Sequence, residues 1–398
     1  MRIAYIAPYQ GNQLVQSRPS SRNLSLAARM KMGLIAELLQ KSSHSVEILS
    51  QGEVIERQFK FYPAFSEGEA SSPDIPVHYA SAFPVKFLNG FWSSLSTLRL
   101  FKARHCQSPF HLVVIYNLKP PQVACADYAL RRLGLPVILE YEDDAFSDVW
   151  GHGESGVMSK YYIAKAKRLL GSISACAATS PNLLAQAPAS VPKLMLRGVV
   201  SKDIVNLSQQ TDQARKNWAV FSGTHEGSQG LEQMIKAWQM ARLPDWELHI
   251  AGQGPLTALL QKSAADDSSI IFHGLLNRAE NARMLCSAKI GLNPQDITRI
   301  PGNTFPFKIT EYLAAGLHVI STPRGTVEPE LEAGISYLPD NRPETIATVM
   351  SKVILDRAFE CTAARAALET YGPAAVSQSL ERLIQEVLIS KAGKNGFN

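Results

Sequence analysis

The sequence has no long apolar run. Nowhere does it approach the ~18 consecutive apolar residues of a membrane span, and its opening, Met1 to Tyr9, lacks the apolar core and cleavage site of a secretory leader. The expectation is a cytoplasmic protein, at most attached to the inner face of the cytoplasmic membrane. Cysteine is scarce as well. The five residues Cys106, Cys125, Cys176, Cys286 and Cys361 are odd in number and contain no C-x-x-C pair, so neither a disulfide framework nor a zinc site is expected. Charge is modest, with 19% charged residues, a formal net charge of +5 and a pI near 8.8. That balance suits anionic ligands or an anionic membrane surface. No basic-aromatic array appears, so nucleic acid is not an expected partner.

What is present reads as α/β. The 398 residues are 45% hydrophobic, enough for two domains with cores of their own. Arg2 to Pro8 is an apolar run ending in the turn-forming Gln10-Gly11-Asn12; a helical pattern follows from about Ser21 to Gln40, then a strand at Val46 to Leu49. Further runs at Leu112 to Tyr116 and Val137 to Tyr141, each approached through a helical segment, predict a parallel sheet with helices on both faces. A polar stretch, Val200 to Lys216, reads as a linker. Beyond it the rhythm starts again: a strand at Trp218 to Phe221, a helix with Leu231, Met234, Ile235 and Trp238 on one face, and strands at Leu248 to Ala251, Ile270 to Phe272 and Ile290 to Asn293.

The most informative stretch is Asn303 to Thr322, NTFPFKITEYLAAGLHVIST. Pro306 suits a first helical turn, Gly316 suits a left-handed residue closing the helix, and a β-branched strand follows, so a helix is predicted from about Pro306 to Ala315. Lys308 and Glu311 share one face near its positive end. An ammonium beside free N–H groups can hold a diphosphate, and a carboxylate one turn on can accept hydrogen bonds from ribose hydroxyls. Periodicity alone also fits a plain crossover helix with a solvated Lys/Glu pair. The pattern Pro-x-Lys-x-x-Glu-Tyr-Leu-Ala-x-Gly, however, resembles the signature of retaining nucleotide-sugar glycosyltransferases of family four, the glycosyl transferases group 1. The resemblance is concentrated from about Val220 to Leu338.

That resemblance implies a GT-B fold, two Rossmann-like domains facing across a cleft, with 1–199 as the acceptor-side domain, 200–216 as linker, 217–372 as the nucleotide-sugar donor domain, and 373–398 as a helix crossing back plus a frayed tail. It implies donor contacts from Gly11 in the first glycine turn, from Gly223, Thr224 and His225 after the strand at Trp218, from Leu275 and Leu276 near the nucleobase, and from Phe307, Lys308 and Glu311. Departures from the family pattern are specific. Asn303 stands where the first of two motif glutamates would be, and Thr224 and Gln229 occupy the places of an arginine and a lysine that grip the diphosphate. Lys308 is therefore expected to carry most of the positive charge.

On the acceptor side, Asn117, Glu142, Asp143 and Asp144 lie at predicted strand ends. Three adjacent carboxylates can be read as a magnesium site or as a solvated acidic turn, and we expect the turn, since neighbouring positions point apart. Asp143 joins Lys308, Glu311 and Asn303 as a candidate catalytic residue. Between Phe83 and Phe110 an apolar stripe runs beside Lys86, Arg99, Lys102 and Arg104, readable as a packed helix or as a contact with anionic membrane, and Lys160 to Arg168 with Tyr161 and Tyr162 reads the same way. The expected activity is transfer of a sugar from a nucleotide-diphosphate donor to a saccharide or lipid-linked acceptor, with retention and without a metal or other cofactor. Bacterial surface-polysaccharide assembly is the setting the resemblance implies. The rivals are an epimerase of the same architecture and a sugar-nucleotide-binding subunit that has lost catalysis.

Overall fold

The computed structural model describes residues 1–398 except 19–25, 53, 55–58, 71, 86–87, 147–156, 210–213, 299–304, 324–326, 361 and 396–398; at 26–27, 157–159 and 392–395 it describes the backbone only. The expected helix start at Ser21 and the candidate Asn303 thus lie outside the described residues. The chain forms two compact units, one of 1–196 with 377–398 and the other of 197–376.

The first unit runs β1 (Arg2–Ile6), α1 (Asn12–Ser17), α2 (Leu26–Lys41), β2 (Ser45–Ser50), β3 (Phe65–Gly68), β4 (Pro76–Tyr79), α3 (Asn89–Gln107), β5 (Leu112–Tyr116), α4 (Pro120–Arg132), β6 (Val137–Tyr141), α5 (Val157–Leu170), β7 (Ala175–Ala178), α6 (Pro181–Gln186) and β8 (Lys193–Met195). Its eight strands lie in the order β3-β4-β2-β1-β5-β6-β7-β8, parallel except for β3 against β4. The central strands are apolar throughout, LVVIY in β5 and ACAA in β7, as strands covered on both faces must be. Strand order reverses between β1 and β5, and ligands of such sheets bind outside the carboxyl ends at this reversal.

The stripe of α3 divides. Phe101 is fully buried and stacks on Phe110 at 5.7 Å, whereas Leu88 and Phe91 are about half exposed. Phe91 therefore lies outside the packed face that the α3 spacing suggested. Nearby, Phe83 meets both Phe59 (5.4 Å) and Trp92 (5.8 Å), and Phe61 meets Trp92 (6.1 Å), leaving an aromatic group of which Phe59 is 90% exposed. Among the described residues no helix is long and apolar enough to cross a membrane.

The second unit runs α7 (Lys202–Gln209), β9 (Trp218–Ser222), α8 (Leu231–Ala241), β10 (Glu247–Ala251), α9 (Thr257–Ser263), β11 (Ile270–Gly274), α10 (Arg278–Ser287), β12 (Ile290–Asn293), α11 (Phe307–Ala314), β13 (His318–Ser321), β14 (Ile335–Tyr337), α12 (Pro343–Leu355) and α13 (Ala364–Tyr371). Its sheet, β11-β10-β9-β12-β13-β14, is parallel and ordered as in dinucleotide-binding domains, with the reversal between β9 and β12. Leu231, Met234, Ile235 and Trp238 are all buried along α8, so the periodicity located the core face.

The expected linker is instead part of this unit. Ile204 of α7 is buried in the core, Val205 and Leu207 pack on it, and Val200 donates to the carbonyl of Tyr371 at 2.9 Å. Polar composition hid a short amphipathic helix. The final helix, α14 (Pro373–Asn395), rejoins the first unit from Ser377, where Leu380, Leu383, Ile384 and Val387 are buried and Ser377 and Glu381 bond Ser42 and His44. The tail expected to fray from Lys391 is helical to Asn395.

Candidate functional site

The signature helix α11 is shorter than its pattern suggested. Pro306 is its N-cap, with extended backbone (φ −71°, ψ 112°), and Phe307 opens the first turn. At the other end Gly316 has φ +81°; its N–H donates to Leu313 and that of Leu317 to Tyr312, the paired bonds of a glycine-terminated helix. Arg215 occupies the space a Gly316 side chain would need, donating to the carbonyls of Ala315 (2.7 Å) and Ala288 (2.9 Å). Tyr312 ties the helix to the sheet, its hydroxyl accepting the Ser222 N–H at 2.8 Å. This fastening holds the start of α11 at the carboxyl edge beside the β9–α8 turn.

There the candidates of the second unit meet. The Lys308 ammonium lies 4.0 Å from the centre of the Phe221 ring and donates to Gln229 Oε1 at 2.8 Å. It is also 3.0 Å from where a side chain on Gly223 would begin, so that glycine makes room for it. Loss of solvent brings its pKa down to about 7, against the opposing pull of Glu311. Glu311 is buried and its Oε1 has no hydrogen-bond partner among the described residues; burial pushes its pKa up to about 7, with Arg278 and Lys308 opposing. His225 is buried too. Its Nδ1 bonds the Thr257 hydroxyl at 2.9 Å while Nε2 has no partner among the described residues, and burial lowers its pKa. Thr224 and Phe307 are half-buried on the same edge. Leu275 is exposed just past Gly274 (φ +65°), and Leu276 packs on the core behind it. A surface recess lined by Lys216, Trp218, Trp246 and Ser269 lies at the opposite, amino ends of β9 and β10 and includes none of these residues.

In the first unit the glycine turn is occupied from within. Gly11 donates its N–H to the Tyr79 hydroxyl (2.8 Å), which in turn donates to Glu67 Oε1 (2.7 Å), and Glu67 Oε2 accepts from the Gln13 N–H (3.0 Å). A Cβ on Gly11 would fall 2.0 Å from Glu67 Oε1. The close approach that requires glycine here is made to Glu67 and Tyr79, and the Gly11 N–H is given to the Tyr79 hydroxyl.

At the β5 and β6 ends, Asn117 adopts a left-handed conformation (φ 61°), and its amide oxygen accepts from the N–H groups of Glu142 (2.7 Å) and Asp143 (3.1 Å) while its nitrogen donates to Asp143 Oδ2 (3.1 Å). It braces the turn rather than pointing outward. The three acids diverge: Glu142 pairs with Lys31, Asp143 meets Asn117, and Asp144 accepts from Gln186 and from the Phe146 N–H. Among the described residues no group of three ligand side chains is arranged to hold a metal. Behind them Lys31, on α2, is 2% exposed, bonded to Glu142 and the Leu196 carbonyl and 3.9 Å from Glu140, which also accepts from Tyr5. Burial raises the pKa of Glu142 to about 8 and raises those of Glu140 and Asp143.

Comparison with known proteins bears on the second unit most directly. Residues 216–356 match the profile of the family described as Glycosyl transferases group 1. That segment is a glycosyl transferases group 1 domain. Over 138 residues the chain is 33% identical to the GDP-mannose-dependent alpha-(1-6)-phosphatidylinositol dimannoside mannosyltransferase of Mycobacterium tuberculosis, covering 33% of this chain and 34% of that one. The chain thus aligns with about a third of the length of that curated relative. Solved structures align along the whole chain. Sucrose-phosphate synthase of Thermosynechococcus elongatus gives a TM-score of 0.68 at 14% identity, covering 98% of this chain and all of that one. UDP-GlcNAc 2-epimerase of Neisseria meningitidis, solved with UDP-GlcNAc, gives 0.59 at 12%, covering 98% and 100%. A synthase and an epimerase at such identities show the fold alone, and that fold is GT-B.

The group 1 domain brings Gly223, Thr224, His225, Phe307, Lys308 and Glu311 to one edge of its sheet. Sequence reasoning passed over Gln229 as a partner of Lys308, and Lys31, Glu140 and Tyr5 in the first unit. A signal existed for the last group: a glutamate inside the otherwise apolar strand VILEY, and a lysine inside the apolar pattern of α2.

Proposed function

We propose that the protein is a retaining glycosyltransferase that moves a sugar from a nucleotide diphosphate to a saccharide or lipid-linked saccharide, in bacterial surface-polysaccharide or glycoconjugate assembly. The group 1 domain takes the donor, and the carboxyl edge of the first unit's sheet, at Glu142 and Asp143, takes the acceptor. What carries this reading is the presence, at the β9/β12 reversal, of both the Lys308 ammonium and a buried Glu311 oxygen that no group among the described residues satisfies. The first suits a diphosphate and the second suits ribose hydroxyls.

In the reaction the acceptor hydroxyl attacks the anomeric carbon from the face the diphosphate leaves. The bond from carbon to phosphate oxygen breaks, and the acceptor proton passes to the departing phosphate. Lys308, the first-turn N–H groups of α11 and Thr224 stabilise the charge that develops there. Product analysis tests the reading: conversion of a nucleotide sugar only with acceptor present supports transfer, isomerisation of the donor alone makes the protein an epimerase, and binding without conversion makes it a binding subunit.

Because the Lys308 ammonium and a helix end serve the leaving group, activity should survive EDTA. Complete loss, restored by Mg²⁺ or Mn²⁺, would return the acids at Glu142 to Asp144 to consideration as ligands. The exposed aromatic group at Phe59, Phe61 and Phe91, with Lys60 and Arg99 exposed beside it in the chain, supports attachment to the inner face of the cytoplasmic membrane. Sedimentation with vesicles containing anionic lipid should therefore exceed that with neutral vesicles and weaken as salt rises. Equal partition into both would remove the electrostatic part of this attachment.

A further inference from the structure

The Gln229 side chain lies in a 3₁₀ turn, Gly227–Gln229, locked against the segment after β12: Gly230 has φ +71°, and a Cβ there would lie 1.9 Å from the Pro294 carbonyl oxygen. Gln229 Oε1 faces two donors, Lys308 Nζ at 2.8 Å and Gln295 Nε2 at 3.3 Å. Gln295 is itself buried, so the orientation of the Gln229 amide is fixed by both neighbours. A lysine at this place, as the family resemblance would supply, would put a second cation against Lys308. A carboxylate would pair with the ammonium and repel a diphosphate.

We propose that Gln229 is a positioning residue of the diphosphate site: a neutral acceptor that seats the Lys308 ammonium over the Phe221 ring while leaving its charge for the ligand. This rests on the donor reading above. Among the described residues the charged group acting on Lys308 is Glu311 on its own helix, which Arg278 at the start of α10 acts on in turn, while His225 in the turn after β9 feels the Lys308 charge. With its pKa near 7, the empty-site ammonium is largely deprotonated by pH 9, and an incoming diphosphate restores the proton. Affinity for a nucleotide sugar should then fall as pH rises from 7 to 9, by up to about tenfold per pH unit for one linked proton. His225, with its pKa lowered by burial, stays neutral through that range.

Two variants move this dependence in opposite directions. Gln229→Leu removes the acceptor, so the ammonium loses its proton sooner and the fall in affinity begins at lower pH. Gln229→Glu places a negative charge beside the ammonium, weakening binding throughout but postponing the fall to higher pH. The probes are UDP-glucose, GDP-mannose, ADP-glucose and dTDP-glucose, whose diphosphates do not titrate here, and Kd is read by calorimetry from pH 7 to 9. Both shifts should persist in a Glu311→Gln background, which removes that carboxyl's own titration. A purely structural Gln229 would change Kd equally at every pH, and that result overturns the proposal, as does a wild-type affinity that is flat with pH. If the wild type binds none of the four nucleotide sugars, the donor reading falls as well, which distinguishes the two failures.

Discussion

Replacing Lys308 with alanine should lower turnover by roughly 10²–10³, the ~2.7–4 kcal/mol lost with one preorganised donor to charge that develops in the transition state. The ammonium is already seated, by Gln229 and the Phe221 ring, before any ligand arrives. Little reorganisation is then required as the leaving diphosphate gains charge. Glu311→Gln should behave differently. A ribose contact exists equally in the ground and transition states, so its loss should appear mainly as a higher donor KM with turnover nearly kept. Steady-state kinetics on folded variants, with donor varied at saturating acceptor, separates the two. Near-normal constants for both would reduce α11 to a crossover helix and remove the donor site built on it.

Lys31→Met should destabilise the first unit by about 3–5 kcal/mol, the cost typical of removing one partner from a buried ion pair. Lys31 is 2% exposed and is the cation set between Glu140 and Glu142; a methionine fills the volume but leaves both carboxylates without it. The pH dependence gives the cause. Folding raises the pKa of both glutamates, Glu142 to about 8, so each holds its proton more tightly folded than unfolded. Their contribution is present at low pH and lost as pH rises from the ordinary carboxylate range through the folded value. Without Lys31 that loss deepens, so the defect should be largest at pH 8 and shrink toward pH 5. Urea denaturation at both values checks this, and a defect of equal size at the two would mean that packing rather than charge is responsible.

Most of the architecture could be read from local pattern. Strands β5, β6 and β12 fall at the residues the apolar runs marked, and Gly316 closes α11 as a left-handed residue because the chain must turn there into a β-branched strand. Local pattern also placed Lys308 and Glu311 on one helical face. It misjudged Val200 to Lys216, where few apolar residues sufficed for a helix because the rest of the core was supplied from elsewhere. It could not see the partners of the functional groups. Gln229 and Lys308 are 79 residues apart, Lys31 and Glu142 are 111 apart, and Gln13 and Glu67 are 54 apart. Only a sheet that gathers the ends of distant strands makes them neighbours.

The return of α14 to the first unit has a consequence for biosynthesis. Ser377 to Asn398 belong to the unit that begins at Met1, while 197–376 lie between, with their ends joined by the Val200 to Tyr371 hydrogen bond. On the ribosome the first sheet is complete once β8 has emerged, yet the surface that receives Leu380, Leu383, Ile384 and Val387 stays bare until the last turns are made. At ~5–20 residues per second, that interval is on the order of ten seconds or more. The second unit, whose entering and leaving segments are stitched together by that bond, can close during the wait. The first must be held soluble without its final helix, so early termination anywhere past β8 should leave a nascent chain that depends on chaperones.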